Sequence, residues 1–76
     1  MQKQRIEYDS PVDALIAITK RLTGYENRYA TDSEDFFDKY GKGLMEDSAD
    51  FIDWSNYYQH YMAIRNKIER QLKNAA

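Results

Sequence analysis

Three aspartates recur at every third position in the middle of the chain: Asp47, Asp50 and Asp53. On a helix this spacing places the carboxylates along one edge, and carboxylate oxygens are the ligands that Mg²⁺ and Ca²⁺ prefer. With Glu26 they form the ligand set that a divalent ion would use. Carboxylates so close together repel one another, however, and Arg21 and Arg28 of the first long helix can pair with them and neutralise them without a metal. We therefore interpret the aspartates as a solvated acidic edge and expect no metal site.

The single histidine, His60, has no cysteine or second histidine with which to share a zinc ion, which needs three or four protein ligands. We expect it to lie at the surface or at an interface. The sequence shows no glycine-rich phosphate loop, nucleophile elbow or histidine-centred triad. A domain of 76 residues also has too little volume to enclose a substrate cleft and still keep a core. The prediction is a protein that is not an enzyme and has no cofactor.

The charge distribution is more informative than the net charge of −2. Residues 1–31 carry five basic and four acidic side chains, residues 32–53 carry two and eight, and residues 54–76 carry four and one. The net charges of the three segments are therefore +1, −6 and +3. We call residues 32–53 the acidic segment. Such a segment favours contact with a basic surface, either of this chain or of another protein.

Composition also bears on the location of the protein. There is no cysteine, so a disulfide framework is excluded, which fits a reducing compartment. No run of about 18 apolar residues is present, and the polar start at residues 1–5 lacks the apolar stretch of a signal peptide. We expect a cytoplasmic protein that makes no contact with a membrane.

Two long helices are predicted from capping signals and apolar spacing. Ser10, Pro11 and Asp13 form a helix start, with the serine as cap and proline at the first helical position. Apolar residues then recur at steps of three and four up to Tyr29, through Gly24. A second long helix starts at residues 47–50 and is predicted to end near Leu72.

A short helix is predicted between them. Thr31 and Glu34 have the spacing of a capping box, and glycines at 41 and 43 tolerate the left-handed conformation that ends a helix. Leu44 and Met45 then predict a loop held by apolar side chains. The predicted fold class is all-α, with residues 1–76 as one domain: an antiparallel helical hairpin of two long helices with a short connecting helix. We expect residues 1–9 to be flexible and residues 74–76 to be frayed.

Seven tyrosines and one tryptophan are too many for the interior of so small a domain. Aromatic side chains are enriched at the centres of protein interfaces. We therefore expect some of them to form the core and others to form an interface, including a homodimer contact through the third helix.

A set of polar, glycine, aliphatic and aromatic residues lies within about residues 20–62: Arg21-Leu22, Tyr25-Glu26, Arg28-Tyr29, Ser33-Glu34-Asp35-Phe36, Gly43, Asp47, Asp50-Phe51-Ile52 and Trp54. The spacing of this set resembles that of small prokaryotic helical antitoxin-like proteins from toxin–antitoxin type gene pairs. The resemblance implies a non-catalytic helical protein that binds a neighbouring toxin, often a ribonuclease. The positions to which the resemblance carries over the family's pattern are Tyr25, Glu26, Arg28, Tyr29, Phe36, Asp50, Phe51 and Trp54. No recognisable DNA-binding segment precedes the stretch, so the resemblance does not extend to an autorepressor role.

Together these features predict a protein-interaction module, with an antitoxin that neutralises the product of a neighbouring gene as the leading case. The expected partner-binding residues are Asp35, Asp38, Asp47, Asp50, Trp54, Tyr57, Tyr58 and Tyr61. The alternative is a small transcriptional regulator that contacts DNA with the basic residues Arg65, Lys67, Arg70 and Lys73. A sequence pI near 5.3 disfavours nucleic-acid binding, because the overall field repels phosphate.

Overall fold

A computed structural model describes residues 10–75 of the chain, and these residues form three helices. They are α1 (Pro11–Tyr29), α2 (Ser33–Gly41) and α3 (Ala49–Ala75). The described part of the chain contains no strand, which confirms the all-α prediction. The predicted flexibility of residues 1–9 lies outside the described residues.

Helix α1 has the bounds that the sequence predicts. The Ser10 hydroxyl accepts a hydrogen bond from the Asp13 N–H (3.3 Å), and Pro11 takes the first helical position. The helix continues through Gly24 without interruption and ends at Tyr29, and the following residue, Ala30, caps it with a φ of +52°. The apolar spacing on both sides of Gly24 therefore outweighs its low helix propensity.

Helix α2 begins differently from the prediction, because the capping box of Thr31 and Glu34 does not form. The Thr31 hydroxyl donates to the Tyr29 carbonyl (3.0 Å), and Asp32 stands at the N-cap without a side-chain hydrogen bond. The Ser33 N–H instead donates to a carboxylate oxygen of Glu26 on α1 (2.9 Å). A tertiary contact thus replaces the local cap.

The connection between α2 and α3 combines a predicted and an unpredicted feature. Gly43 adopts φ +76°, the left-handed conformation expected at the end of a helix. Met45 packs against the core, but Leu44 is 69% exposed, so its predicted role as an apolar contact is wrong. Ser48 then accepts a hydrogen bond from the Phe51 N–H (3.1 Å) and caps α3.

The core lies where the three helices meet. Leu22, Phe36, Phe51 and Trp54 are buried, with one residue from α1, one from α2 and two from α3. Contacts along α1 and α3 follow opposite directions: Tyr29 meets Asp50 and Phe51, Tyr25 meets Trp54, and Arg21 meets Tyr57. The end of α1 therefore packs against the start of α3, and successive contacts move back along α1 as they move forward along α3.

The remote ends of the long helices carry apolar side chains that the core does not cover. Val12 and Ile16 on α1 are each 52% exposed, and Leu72 on α3 is 67% exposed. The apolar stripe continues in sequence beyond the part that is buried. In residues 10–75, no helix combines the length and apolar character needed to cross a bilayer.

Candidate protein-binding surface

Trp54 is the centre of the aromatic core and has no exposed surface. Its ring is parallel to that of Phe36, with centroids 3.9 Å apart, and stacks with Tyr25 at 5.5 Å on α1. The indole N–H donates to the Ser33 hydroxyl (2.9 Å), which satisfies the polar atom of this buried ring. Trp54, a predicted partner contact, thus joins all three helices, and in this conformation its side chain offers nothing to a partner.

The three remaining aromatic residues of the predicted interface are half-buried along α3: Tyr57, Tyr58 and Tyr61. The rings of Tyr58 and Tyr61 stack with centroids 5.7 Å apart, and Tyr58 also contacts Phe37 of α2 at 4.9 Å. Each of the three packs against the core with one part and meets solvent with the other. They form an aromatic strip on α3 that meets the acidic helix α2 at Tyr58 and α1 at Tyr57.

Asp50 is held by two residues at the end of α1. Its carboxylate accepts hydrogen bonds from the Tyr29 hydroxyl and the Arg28 guanidinium, the latter at 2.8 Å. These bonds, from Tyr29 first and Arg28 second, lower the pKa of Asp50. The predicted pairing of α1 arginines with α3 aspartates is therefore confirmed for Arg28. Arg21 instead lies over the ring of Tyr57, 5.3 Å from its centroid.

Asp47 and Glu26 also make contacts within the chain. Asp47 accepts a hydrogen bond from the Tyr40 hydroxyl (2.8 Å), which raises the pKa of that tyrosine. Glu26 bonds to the Ser33 N–H. The carboxylates of the hypothetical metal set are thus directed to different partners. In residues 10–75, no three His, Cys, Asp or Glu side chains converge in a way that would hold a metal ion.

The exposed acidic residues lie mainly on α2 and its flanks. Asp35 and Asp38 are exposed, and Asp38 forms an ion pair with Lys42 one turn later (3.0 Å). Glu34 and Glu46 are exposed as well. Of the four predicted aspartates, Asp35, Asp38 and Asp47 are exposed and Asp50 is half-buried. Asp47 and Asp50 also accept hydrogen bonds from tyrosines of the chain itself.

A groove of about 350 Å³ lies where α1, the start of α2 and the middle of α3 meet. We call it the junction groove; its principal lining residues are Leu22, Glu26, Glu34, Tyr58, Tyr61 and Arg65. The sequence does not predict this groove. The capping-box pattern includes Glu34, but only the packing of three helices brings that residue to the same groove as the tyrosines of α3.

The basic end of α3 is exposed. Arg65 approaches Glu69 (3.7 Å) and lies over the ring of Tyr61, 6.0 Å from its centroid. Lys67, Arg70 and Lys73 follow at steps of three on the solvent side. His60 is also exposed, as predicted.

Comparison of the chain with protein-family models, curated proteins and solved structures finds no match.

Proposed function

We propose that this chain is a non-enzymatic protein-binding module that neutralises a partner in the manner of an antitoxin. The observation that carries the proposal is the position of the acidic helix α2 beside the half-buried tyrosines of α3. Tyr58 contacts Phe37 of α2, while Asp35 and Asp38 face solvent on the same short helix. A partner seated there would meet an aromatic surface next to an acidic one, a combination suited to protein interfaces.

The charge of the acidic segment favours a partner with a basic surface, and the ribonuclease that the family resemblance implies is a partner of that kind. A ribonuclease binds a polyanion and therefore has a positive groove. The acidic segment, with a balance of −6 over residues 32–53, would steer association toward such a groove and compete with its substrate. We propose that the gene for the partner lies next to the gene for this chain.

The contacts divide the predicted binding residues into two groups with different roles. Asp35, Asp38 and the tyrosines 57, 58 and 61 are those that contact the partner. Asp47, Asp50 and Trp54 hold the connection and the helices in place, because each bonds within the chain. Substitution in the second group would affect folding as well as binding, so the first group gives the cleaner test.

The experiment is co-purification of the tagged chain with the product of the neighbouring gene. We compare the double variant Asp35→Lys, Asp38→Lys with a control, Asp13→Lys, Glu69→Lys, which changes the net charge equally at exposed acids outside the acidic segment. The proposal predicts that the first variant loses the partner and the control retains it. Equal retention by both variants, or no complex with the wild-type chain, contradicts it.

We also propose that the chain forms a homodimer in the cytoplasm. Partly exposed aromatic rings of α3 support the dimer, with Tyr57 and Tyr61 as the contacts, since Trp54 has no free surface. Because the partner uses the same two rings, the homodimer and the complex with the partner exclude one another. The order of the contacts along α1 and α3 supports an antiparallel hairpin. In that arrangement the aromatic strip would be accessible to a second copy.

A second candidate is a small DNA-binding regulator. It is favoured by Lys67, Arg70 and Lys73, which are exposed at steps of three near the end of α3. Phosphate contacts of this kind give an affinity that falls steeply with salt. An electrophoretic shift with the chain's own promoter fragment, lost on Arg65→Glu and Arg70→Glu substitution, would support it, and no shift at low salt would exclude it.

A further inference from the structure

We propose that the junction groove receives an arginine side chain of the partner, which would lie against Tyr58 and Tyr61 and bond to Glu34. This inference rests on the proposed function and adds the place and chemistry of a contact within it. It is carried by the shape of the groove, by the balance of charges around it and by its aromatic wall.

The groove is built from all three helices. Leu22 and Glu26 come from α1, Glu34 from the first turn of α2, and Tyr58, Tyr61 and Arg65 from α3. Its volume of about 350 Å³ is at the lower end of the range for small-ligand sites. A single long side chain can enter such a space, whereas a folded segment cannot.

The charges around the groove select a cation. Three carboxylates line it, those of Glu26, Asp32 and Glu34, against one base, Arg65. One oxygen of Glu26 accepts from the Ser33 N–H, so this donor at the start of α2 is already occupied and is not free for an anion. Glu34 is exposed, and its negative charge is the largest influence after burial in raising the pKa of Tyr58.

The tyrosines favour a cation that is planar. Their stacked rings, with centroids 5.7 Å apart, present an aromatic surface beside the carboxylates. The chain's own Arg65 lies over Tyr61, which shows that this surface accepts a guanidinium, and the partner's arginine would displace Arg65 from it. The carboxylates do not converge as metal ligands do. A planar guanidinium can stack flat on a ring while its edge bonds to a carboxylate, whereas an ammonium has no plane with which to stack.

The first test uses a probe of known chemistry. The ¹⁵N-labelled chain is titrated with acetyl-Gly-Arg-Gly-amide and with the same peptide containing citrulline, which has the shape of arginine without its charge. We expect saturable amide shifts at Thr23, Glu34 and Tyr61 with the arginine peptide only, lost in Glu34→Gln. Shifts that are absent, equal for the two peptides, or unchanged in Glu34→Gln overturn the proposal, and this holds even if the chain forms no complex with its neighbour's product.

The second test uses the complex. Glu34→Gln is compared with Glu46→Gln, which removes the same charge from the acidic segment but outside the groove. We expect Glu34→Gln to raise Kd by about tenfold, through faster dissociation, because a charge-assisted hydrogen bond is lost. Glu46→Gln is expected to change mainly the association rate. Equal effects of the two variants overturn the groove contact and leave the acidic surface as the binding site.

Discussion

The hydrogen bond between Trp54 and Ser33 is the polar contact inside the aromatic core. Both residues are buried, and the donor belongs to α3 while the acceptor belongs to α2. A buried N–H that loses its acceptor costs more than the bond itself contributes, since it cannot regain water. The pair therefore fixes how α2 lies on α3, and it positions the first turn of the acidic helix.

Ser33→Ala is predicted to lower the free energy of unfolding by about 1–3 kcal/mol, because the indole N–H is left without a partner. Urea denaturation followed by Trp54 fluorescence measures the change. The control is a double-mutant cycle with Trp54→Phe, which removes the donor and is followed by circular dichroism. In that background the loss from Ser33→Ala is expected to shrink by about 1 kcal/mol; an undiminished loss would show that the hydrogen bond is not its cause.

Asp50 gives a prediction for the pH dependence of stability. Its pKa is lowered in the folded chain by hydrogen bonds from Tyr29 and Arg28. A carboxyl group of this kind stabilises the folded state above its unfolded pKa of about 3.9, and this contribution disappears as the pH falls through the lower folded value. The melting temperature of the wild-type chain should therefore fall more between about pH 5 and pH 2 than that of Asp50→Asn.

The matched control for that measurement is Asp35→Asn, which removes an exposed carboxylate from α2. This variant is expected to keep the acid sensitivity of the wild-type chain. If Asp50→Asn and the wild type lose stability in parallel, the bonds from α1 to Asp50 do not contribute to the acid response.

At the scale of the helices, two glycines have opposite roles. Gly24 lies inside α1, and a Cβ placed there would meet no atom within 4 Å. Gly43 follows α2 with φ +76°, a conformation that side chains disfavour. Space is open at both positions, so backbone conformation alone separates them.

Gly24→Ala is predicted to raise the free energy of unfolding by about 0.5–1 kcal/mol, since alanine restricts the unfolded chain and favours the helix. Gly43→Ala is predicted to lower it by about 1 kcal/mol, because the left-handed conformation becomes strained. Chemical denaturation of both variants checks the pair. A change of the same sign at the two glycines would contradict the assignment of their roles.

The helices themselves follow from local signals in the sequence. Ser10 with Pro11, the serine at 48 and the glycine at 43 each act within a few residues, and they set helix ends that the structure confirms. The start of α2 does not follow from a local signal, because the carboxylate that bonds to it belongs to Glu26 of another helix. Local spacing carries no information about that contact. For the same reason the sequence predicts Trp54 as a partner contact, although the packing of three helices buries it in the core.

The candidate site was predictable in composition but not in arrangement. Counting charges identifies the acidic segment, and counting tyrosines shows that some must reach the surface. Which carboxylates are bonded within the chain depends on the hydroxyl groups of Tyr29 and Tyr40, which donate to Asp50 and Asp47 from other elements. The junction groove depends on three helices at once, so no single stretch of sequence contains it.

At the scale of the whole molecule, charge and apolar surface are unevenly distributed. The acidic segment surrounds α2, the basic residues lie toward the end of α3, and Val12, Ile16 and Leu72 are exposed at the far ends of the long helices. Such a distribution is suited to binding other chains through more than one face.

The proposed homodimer is tested by sedimentation velocity at tens of micromolar. We expect a dimer for the wild-type chain and a monomer for Tyr57→Ser, Tyr61→Ser, because those partly exposed rings would lose the apolar contact. The control is Val12→Ser, Ile16→Ser, which removes exposed apolar surface from α1 and should leave the dimer intact. A monomeric wild-type chain would contradict this part of the proposal.

The exposed acids of α2 are proposed to bind a basic protein partner. Calorimetric titration of the neighbouring gene product with the wild-type chain and with Asp35→Lys, Asp38→Lys tests this directly. We expect a stable complex for the wild type and a Kd at least about a hundredfold higher for the variant, because charges of like sign are brought together. A Kd that is the same for both chains, or no heat of binding with the wild-type chain, would contradict it.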